Sequence, residues 1–167
     1  LPGSDLPEFT RMLERIAPRI AADVVVACKP RLPSQQLGLM MKAFRNRPLL
    51  VDVDDYELSF FRERAPLGLD ELRSLTGHPD IRLPYAEPWT RFAETLLPLA
   101  DGLLVSNPSL QRRFGGLIVP HARDETLFDP ELQDRAAARE RFGFAPGDKV
   151  VLFLGTVTLE IDHLLPA

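Results

Sequence analysis

The chain has 167 residues, of which 45% are hydrophobic and 26% are charged, an ordinary balance for a globular protein with one good core. The formal net charge is -4, so the chain lacks the basic excess expected of a nucleic-acid-binding protein. No apolar run approaches the ~20 residues that a membrane-spanning helix needs. The single cysteine, Cys28, cannot form an internal disulfide. We therefore expect a cytoplasmic protein with no nucleic-acid partner and no membrane span.

The first third of the chain predicts helices and strands in alternation. Apolar residues recur at helical spacing from Pro7 to about Ala17, and Pro18 ends or kinks this helix. The run Val24–Ala27 predicts a buried strand, and Ser34 is a plausible N-cap for the next helix. Leu49–Val53 predicts a second buried strand. Strand, loop, helix and strand together form a βαβ unit, which is typical of parallel sheets.

The middle of the chain repeats this design. A short helix is predicted over Leu69–Leu75, and an apolar stripe from Trp89 to Ala100 predicts a longer one. Leu103–Val105 predicts a third strand, and Pro108 begins a helix that runs to Phe114. The repeated unit predicts an α/β fold with a doubly wound, mainly parallel, Rossmann-like sheet and helices on both faces.

The last third predicts two more strands on either side of a loop and a helix. Leu117–Val119 and Val150–Leu154 are short apolar runs of the kind found in buried strands. Between them lie a polar loop, Pro120 to Pro130, and a helix that Asp134 caps and that continues through Phe142. The complete prediction is therefore five strands, near Val24, Leu49, Leu103, Leu117 and Val150.

Polar side chains follow the predicted strands at the edge where open parallel sheets bind ligands. Three acids after the second strand require an explanation, because crowded like charges destabilise a protein. They either face water and cap a turn, or they belong to a site. The candidate residues at the strand ends are Lys29, Asp54, Asp55, Glu57, Ser106 and Asn107. For Ser106 and Asn107 helix capping is the favoured alternative, and Lys29 would more often be a solvated loop charge.

The segment Ile118-Val-Pro-His-Ala-Arg-Asp-Glu-Thr-Leu-Phe-Asp-Pro130 resembles the interdomain segment of retaining glycosyltransferases of group 1, or family 4. That family has the GT-B fold, in which two Rossmann-like domains face each other across a cleft. Val150-Val-Leu-Phe-Leu-Gly-Thr156 resembles the opening of the second domain. The segments Ala22–Pro30, Pro48–Glu57 and Ala100–Gly115 resemble the later part of the first.

The resemblance implies a domain organisation and a reaction. Residues 1–120 would form an acceptor-side domain that lacks its first strands, residues 121–133 a linker, and residues 134–167 the start of the nucleotide-sugar-binding domain. The intact enzyme would transfer a sugar from a nucleotide-sugar donor to a hydroxyl acceptor, with no further cofactor and no bound metal. The strand-end candidates would line the acceptor side of the cleft.

The resemblance also assigns residues outside the acceptor side. His121, Arg123 and Asp124 would lie at the interdomain hinge, where a plain surface turn is the alternative. Gly155 and Thr156 would offer backbone N–H groups to the donor phosphates. The basic residues that the family has after this point are missing from Thr156–His163. We therefore expect this chain alone to transfer no sugar, and we expect that an unpaired sheet edge could mediate self-association.

Two other functions fit parts of the sequence. Leu49–Asp55 also resembles the first motif of haloacid-dehalogenase-type phosphatases, in which Asp52 would be the nucleophile and Asp54 the acid/base, with Mg²⁺ between carboxylates. Leu103–Asn107 resembles their second motif, but the strand that ends at Gly155 is not followed by their final acid. A non-catalytic binding domain is the third possibility. We predict no tightly bound metal at Asp52, Asp54 and Asp55.

Overall fold

The computed structural model describes residues 5–63 and 65–152. Its four strands are β1 (Val25–Cys28), β2 (Leu49–Val53), β3 (Gly102–Val105) and β4 (Leu117–Ile118). They form one sheet in the order β1-β2-β3-β4, and every neighbouring pair is parallel. The predicted α/β class with a parallel sheet is confirmed, and so are four of the five predicted strands.

Six α-helices accompany the sheet in the described residues: α1 (Leu6–Ile16), α2 (Leu32–Arg45), α3 (Leu69–Ser74), α4 (Glu87–Thr95), α5 (Pro108–Phe114) and α6 (Arg135–Arg141). Helix α2 begins two residues before the predicted N-cap. Pro33 occupies its first turn, where the missing N–H costs nothing. The Ser34 hydroxyl instead donates to the carbonyl oxygens of Lys29 and Arg31. No described helix has both the length and the apolar character needed to cross a membrane.

One face of the sheet forms the core. Leu49, Val51 and Val53 alternate along β2 with more exposed residues, and each is at most 1% exposed. Helix α2 packs closely against β2 at Gly38. A Cβ atom added to this glycine would lie 2.6 Å from the Leu49 Cδ1 atom. Leu97 and Leu110, which come from the turn after α4 and from α5, belong to the same buried cluster. These helices therefore pack on the face that carries Val51.

The opposite face of the sheet is more open. Val26 is 50% exposed and Cys28 is also exposed, and both lie in register with residues of β2. Among the described residues, α5 and the turn after α4 contribute buried side chains to the core on the Val51 side, and α2 packs there through Leu39. The second helical layer of the predicted doubly wound arrangement is not confirmed by the described residues.

The chain divides into two compact units, Leu1–His121 and Ala122–Ala167. The described part of the second unit contains α6 and a short 3₁₀ turn, Pro130–Leu132. None of its described residues is buried. The prediction of a strand near Val150 is wrong for residues 150–152. These residues have no strand structure, and Val151 is 97% exposed. The rest of that predicted strand lies outside the described residues. An apolar run becomes a strand only where another strand offers hydrogen bonds.

Candidate functional site

The carboxyl ends of β1 and β2 bring the first candidate residues together. The two strands are parallel and Cys28 pairs with Asp52, so the residues that follow each strand emerge side by side. The Lys29 N–H donates to the Asp52 carbonyl oxygen at 2.9 Å and extends the ladder by one step. Lys29 itself has a φ of 68°, in the left-handed region that non-glycine residues rarely adopt. This turn directs the Lys29 side chain toward the acids that follow β2.

The Lys29 ammonium lies at the centre of three carboxylates. Its Nζ atom is 3.1 Å from Asp54 Oδ1 and 3.1 Å from Glu57 Oε1. It is 3.2 Å from Asp55 Oδ2. The guanidinium of Arg31 pairs with the other oxygen of Glu57. We refer to these five residues as the Lys29 cluster, and its three carboxylates against two cations make it acidic by one charge.

Exposure divides the cluster into an anchor and an accessible part. The Glu57 side chain is only 1% exposed, whereas those of Asp54 and Asp55 are 25% and 52% exposed. A buried carboxylate is tolerated when it is paired and hydrogen-bonded, as Glu57 is with Lys29 and Arg31. Glu57 therefore fixes the two cations. Asp55 is open to other molecules, whereas Asp54 is only partly so, because its Oδ1 atom, which faces Lys29, is buried.

The electrostatics keep Lys29 charged. Partial burial by itself would lower the pKa of the Lys29 ammonium, but hydrogen bonds to Glu57, Asp54 and Asp55 outweigh it and hold the pKa well above its usual value. An amine that stays protonated cannot act as a general base or as a Schiff-base nucleophile. The role that remains for Lys29 is to position and neutralise the carboxylates around it.

The same three acids have metal-site spacing, although a cation already lies among them. Asp54, Asp55 and Glu57 can each offer an oxygen within 4.8 Å of the others. Because Lys29 Nζ contacts an oxygen of all three, a divalent ion would have to displace that ammonium. Asp52 does not belong to this group, because it precedes the end of β2 and lies on the open face of the sheet.

Ser106 and Asn107 lie at the carboxyl end of β3. The Ser106 hydroxyl donates to the Asp54 carbonyl oxygen at 2.7 Å. Asn107 is the N-cap of α5, since its Oδ1 accepts from the N–H groups of Ser109 and Leu110 at 2.9 and 3.0 Å. Asn107 Nδ2 also donates to the Ser106 hydroxyl. Asn107 therefore caps α5, which is the alternative that the sequence favoured. Ser106 links the end of β3 to the backbone at Asp54.

The sequence patterns do not single out two features near the cluster. The first is Arg31, although the Lys29-Pro-Arg31 spacing places two cations close together. The second is a brace that holds Tyr56, because Arg113 of α5 donates to the Tyr56 hydroxyl at 2.7 Å and lies 3.9 Å from the centre of its ring. Arg113 also pairs with Glu94 of α4 at 3.2 Å. Burial raises the pKa of Glu94, and Arg113 offsets only part of this. No local pattern could reveal a pair separated by 57 positions.

The predicted hinge residues form exposed turns. His121 is the last residue of the first unit, and Arg123 and Asp124 belong to the second. The Asp124 carboxylate accepts from the Thr126 hydroxyl and from the N–H groups of Leu127 and Thr126, which lower its pKa. The Arg123 guanidinium donates to the Ala122 carbonyl oxygen. These contacts are those of a surface turn, and Gly155 and Thr156 lie outside the described residues.

Comparisons of this chain with protein-family models, with curated proteins and with solved structures found no match.

Proposed function

We propose that the first unit is the acceptor-side domain of a retaining glycosyltransferase of the GT-B type, and that the Lys29 cluster forms part of its acceptor site. The observation that carries the proposal is the position of the cluster. Ligands of open parallel sheets bind beyond the carboxyl ends of the strands, and there the partly exposed carboxylate of Asp54 and the exposed one of Asp55 are held by a charged lysine. The sequence resemblance supplies the reaction class.

In this proposal the cluster binds the acceptor and does not itself carry out the chemistry. Hydroxyl groups of a sugar would donate to Asp54 and Asp55, since ionised carboxylates are strong acceptors. The buried anchor Glu57 keeps both acids fixed through Lys29, so the acceptor oxygen is aligned toward the anomeric carbon of the donor. Transfer breaks the bond between that carbon and the diphosphate, and a second domain must stabilise the leaving group.

The proposal extends to the remaining features of the family. The doubly wound GT-B architecture, a nucleotide-sugar donor gripped near Gly155 and Thr156, a hinge at His121, Arg123 and Asp124, and a cytoplasmic location are parts of it. Residues 1–120, 121–133 and 134–167 would be the acceptor domain, the linker and the start of the donor domain. Exposed apolar side chains after residue 133, such as Phe142 and Val151, are consistent with the start of a larger domain.

The phosphatase alternative is less compatible with the geometry. It needs Asp52 and Asp54 to share a Mg²⁺ ion, whereas Asp54 is paired with Lys29 and Asp52 is outside the acidic group. A lysine ammonium among the carboxylates performs the neutralisation that a metal ion would otherwise supply. This observation favours the sugar-binding role over metal-assisted phosphoryl chemistry.

The test is a binding and turnover experiment on the 167-residue chain. Methyl glycosides and nucleotide sugars are titrated into ¹⁵N-labelled protein, and radiolabelled donors are used in parallel to follow transfer. We expect a hydroxyl-rich compound to shift the amide signals of Asp54 and Asp55 saturably, with no transfer by the chain alone. The Asp54→Asn/Asp55→Asn variant should lose this binding, and Asp70→Asn, which changes an exposed acid on α3, should retain it.

Two results would contradict the proposal. One is saturable Mg²⁺ binding that raises the melting temperature and is lost in Asp54→Ala, together with hydrolysis of phosphate esters. The other is the absence of any glycoside or nucleotide-sugar response at the Lys29 cluster across the panel. Sugar transfer by this chain alone would overturn the narrower statement that a second domain is required.

A further inference from the structure

A cavity of about 660 Å³ lies between α4, β3 and α5, within the first unit. It is separate from the Lys29 cluster, whose five residues do not line it. Its wall combines apolar side chains with an ion pair, and includes Leu97, Pro98, Leu103, Phe114, Glu94 and Arg113. Small-molecule sites typically have about 300–1,000 Å³ and an apolar wall with a few placed polar groups. The size and the lining of this cavity are therefore those of a ligand site.

The carboxylate of Glu94 is deeply buried but only partly neutralised. Its side chain is 9% exposed, and its Oε1 atom accepts a hydrogen bond from Arg113 Nη2 at 3.2 Å. The same nitrogen also donates to the Tyr56 hydroxyl at 2.7 Å. Glu94 Oε2 accepts no hydrogen bond from any residue in the described ranges 5–63 and 65–152. Burial therefore raises the pKa of Glu94, and Arg113 offsets only part of this effect.

Glu57 shows how this chain neutralises a comparable carboxylate. Lys29 Nζ lies 3.1 Å from Glu57 Oε1, and the Arg31 guanidinium pairs with Oε2, so each oxygen has its own cation. Glu94 has a cation at Oε1 alone among the described residues. Arg113 is held over the Tyr56 ring, 3.9 Å from its centre, and does not reach both oxygens with a hydrogen bond. A second cation at Oε2 would complete the arrangement that Glu57 already has.

We propose that this cavity binds a small molecule that has an ammonium group on an apolar body about the size of a ring. The ammonium donates to Glu94 Oε2, and the body packs against Leu103 and Phe114, whose ring can also attract the cation. A ligand carboxylate would be repelled by Glu94. A neutral hydroxyl would form a hydrogen bond without the assistance of charge, which is the weaker kind. The inference concerns a site outside the Lys29 cluster and does not depend on glycosyl transfer.

The test compares three ring compounds of similar size and different charge on the ¹⁵N-labelled 167-residue chain. Benzylamine is a cation at neutral pH, benzyl alcohol is neutral, and phenylacetate is an anion. The amide signals of Thr95, Leu103 and Phe114 report on the cavity. The wild-type chain is compared with Glu94→Gln, with Asp70→Asn, which removes a charge on α3, and with Thr95→Trp, which adds an indole at an exposed residue of the cavity wall.

We expect benzylamine to shift these signals saturably and to bind about tenfold more tightly than benzyl alcohol, with no saturable shift from phenylacetate. Glu94→Gln should reduce the affinity for benzylamine to that for benzyl alcohol. Asp70→Asn and the double variant Asp54→Asn/Asp55→Asn should leave it unchanged. Thr95→Trp should weaken binding of both compounds, which gives a second measurement should Glu94→Gln fold poorly. Equal affinities for benzylamine and benzyl alcohol, shifts confined to Asp54 and Asp55, or no saturable response would overturn the proposal.

Discussion

Replacing Lys29 by methionine removes the cation at the centre of the cluster and keeps a side chain of similar length. Asp54, Asp55 and Glu57 would then face one another within a few ångströms, and only Arg31 would remain to neutralise them. Breaking a buried ion pair costs about 3–5 kcal/mol. The Lys29 side chain is 40% exposed and water screens part of the repulsion, so we expect a loss of about 2 kcal/mol in the free energy of unfolding.

Urea denaturation measures this loss as a lower midpoint at an unchanged slope. Lys29→Arg should recover most of the stability, because it restores the charge, and Lys149→Met on the exposed second unit serves as the control. The pKa of Lys29 is raised in the folded state. Its contribution to the free energy of unfolding is therefore fully present below its ordinary pKa of 10.5, and it is lost only as the pH rises through the folded-state pKa. The difference should thus be constant from about pH 6 to 9. An unfolding midpoint equal to that of the wild type would refute the central role of Lys29.

Three further changes test individual contacts. Lys29→Ala should leave Asp54 and Asp55 without a cation, while Glu57 stays paired with Arg31, and should create a weak Ca²⁺ site, seen as a saturable rise in melting temperature that the wild-type chain lacks. Because burial raises the pKa of Glu94, its stabilising contribution is present below the ordinary value of 4.5 and is lost as the pH rises through the folded-state value. The free energy of unfolding of Glu94→Gln, measured as a function of pH, should therefore fall less above pH 4.5 than that of the wild-type chain. Asn107→Ala should lower the free energy of unfolding by about 1 kcal/mol, whereas Asn107→Asp, which keeps the cap, should cost less.

Sequence patterns predicted the local elements that a buried sheet requires. Leu49–Val53 is a strand because it is a short apolar run between Pro48 and a group of acids, and the structure places it in the middle of the sheet. The start of α2 was misplaced because Ser34 is a good N-cap residue in isolation. Its hydroxyl had better acceptors in the Lys29 turn, and Pro33 could occupy the first turn of the helix.

The candidate site was only partly predictable, for a different physical reason. Residues at strand ends follow from topology, so the sequence alone predicts that Lys29, Asp54, Asp55 and Glu57 lie together. It does not predict which carboxylate is buried and which is accessible, because that depends on packing. Glu57 is two positions from Asp55, yet it is 2% exposed and Asp55 is open to water. The spacing of acidic residues along the sequence does not show how deeply each carboxylate is buried.

Asp52 in β2 and Glu57 beyond its end are carboxylates in opposite surroundings. Glu57 lies after the strand, is buried, and has two cations within the chain. Asp52 lies within the strand, is partly exposed, and has no cation among the described residues. Burying a carboxylate without a cation is unfavourable at either position. Glu57 is buried together with Lys29 and Arg31, whereas Asp52 lies on the open face of the sheet. An acid is compatible with that face only if water or an external cation reaches it. Asp52→Asn should consequently leave glycoside binding at Asp54 intact, because Asp52 lies outside the group formed by Asp54, Asp55 and Glu57.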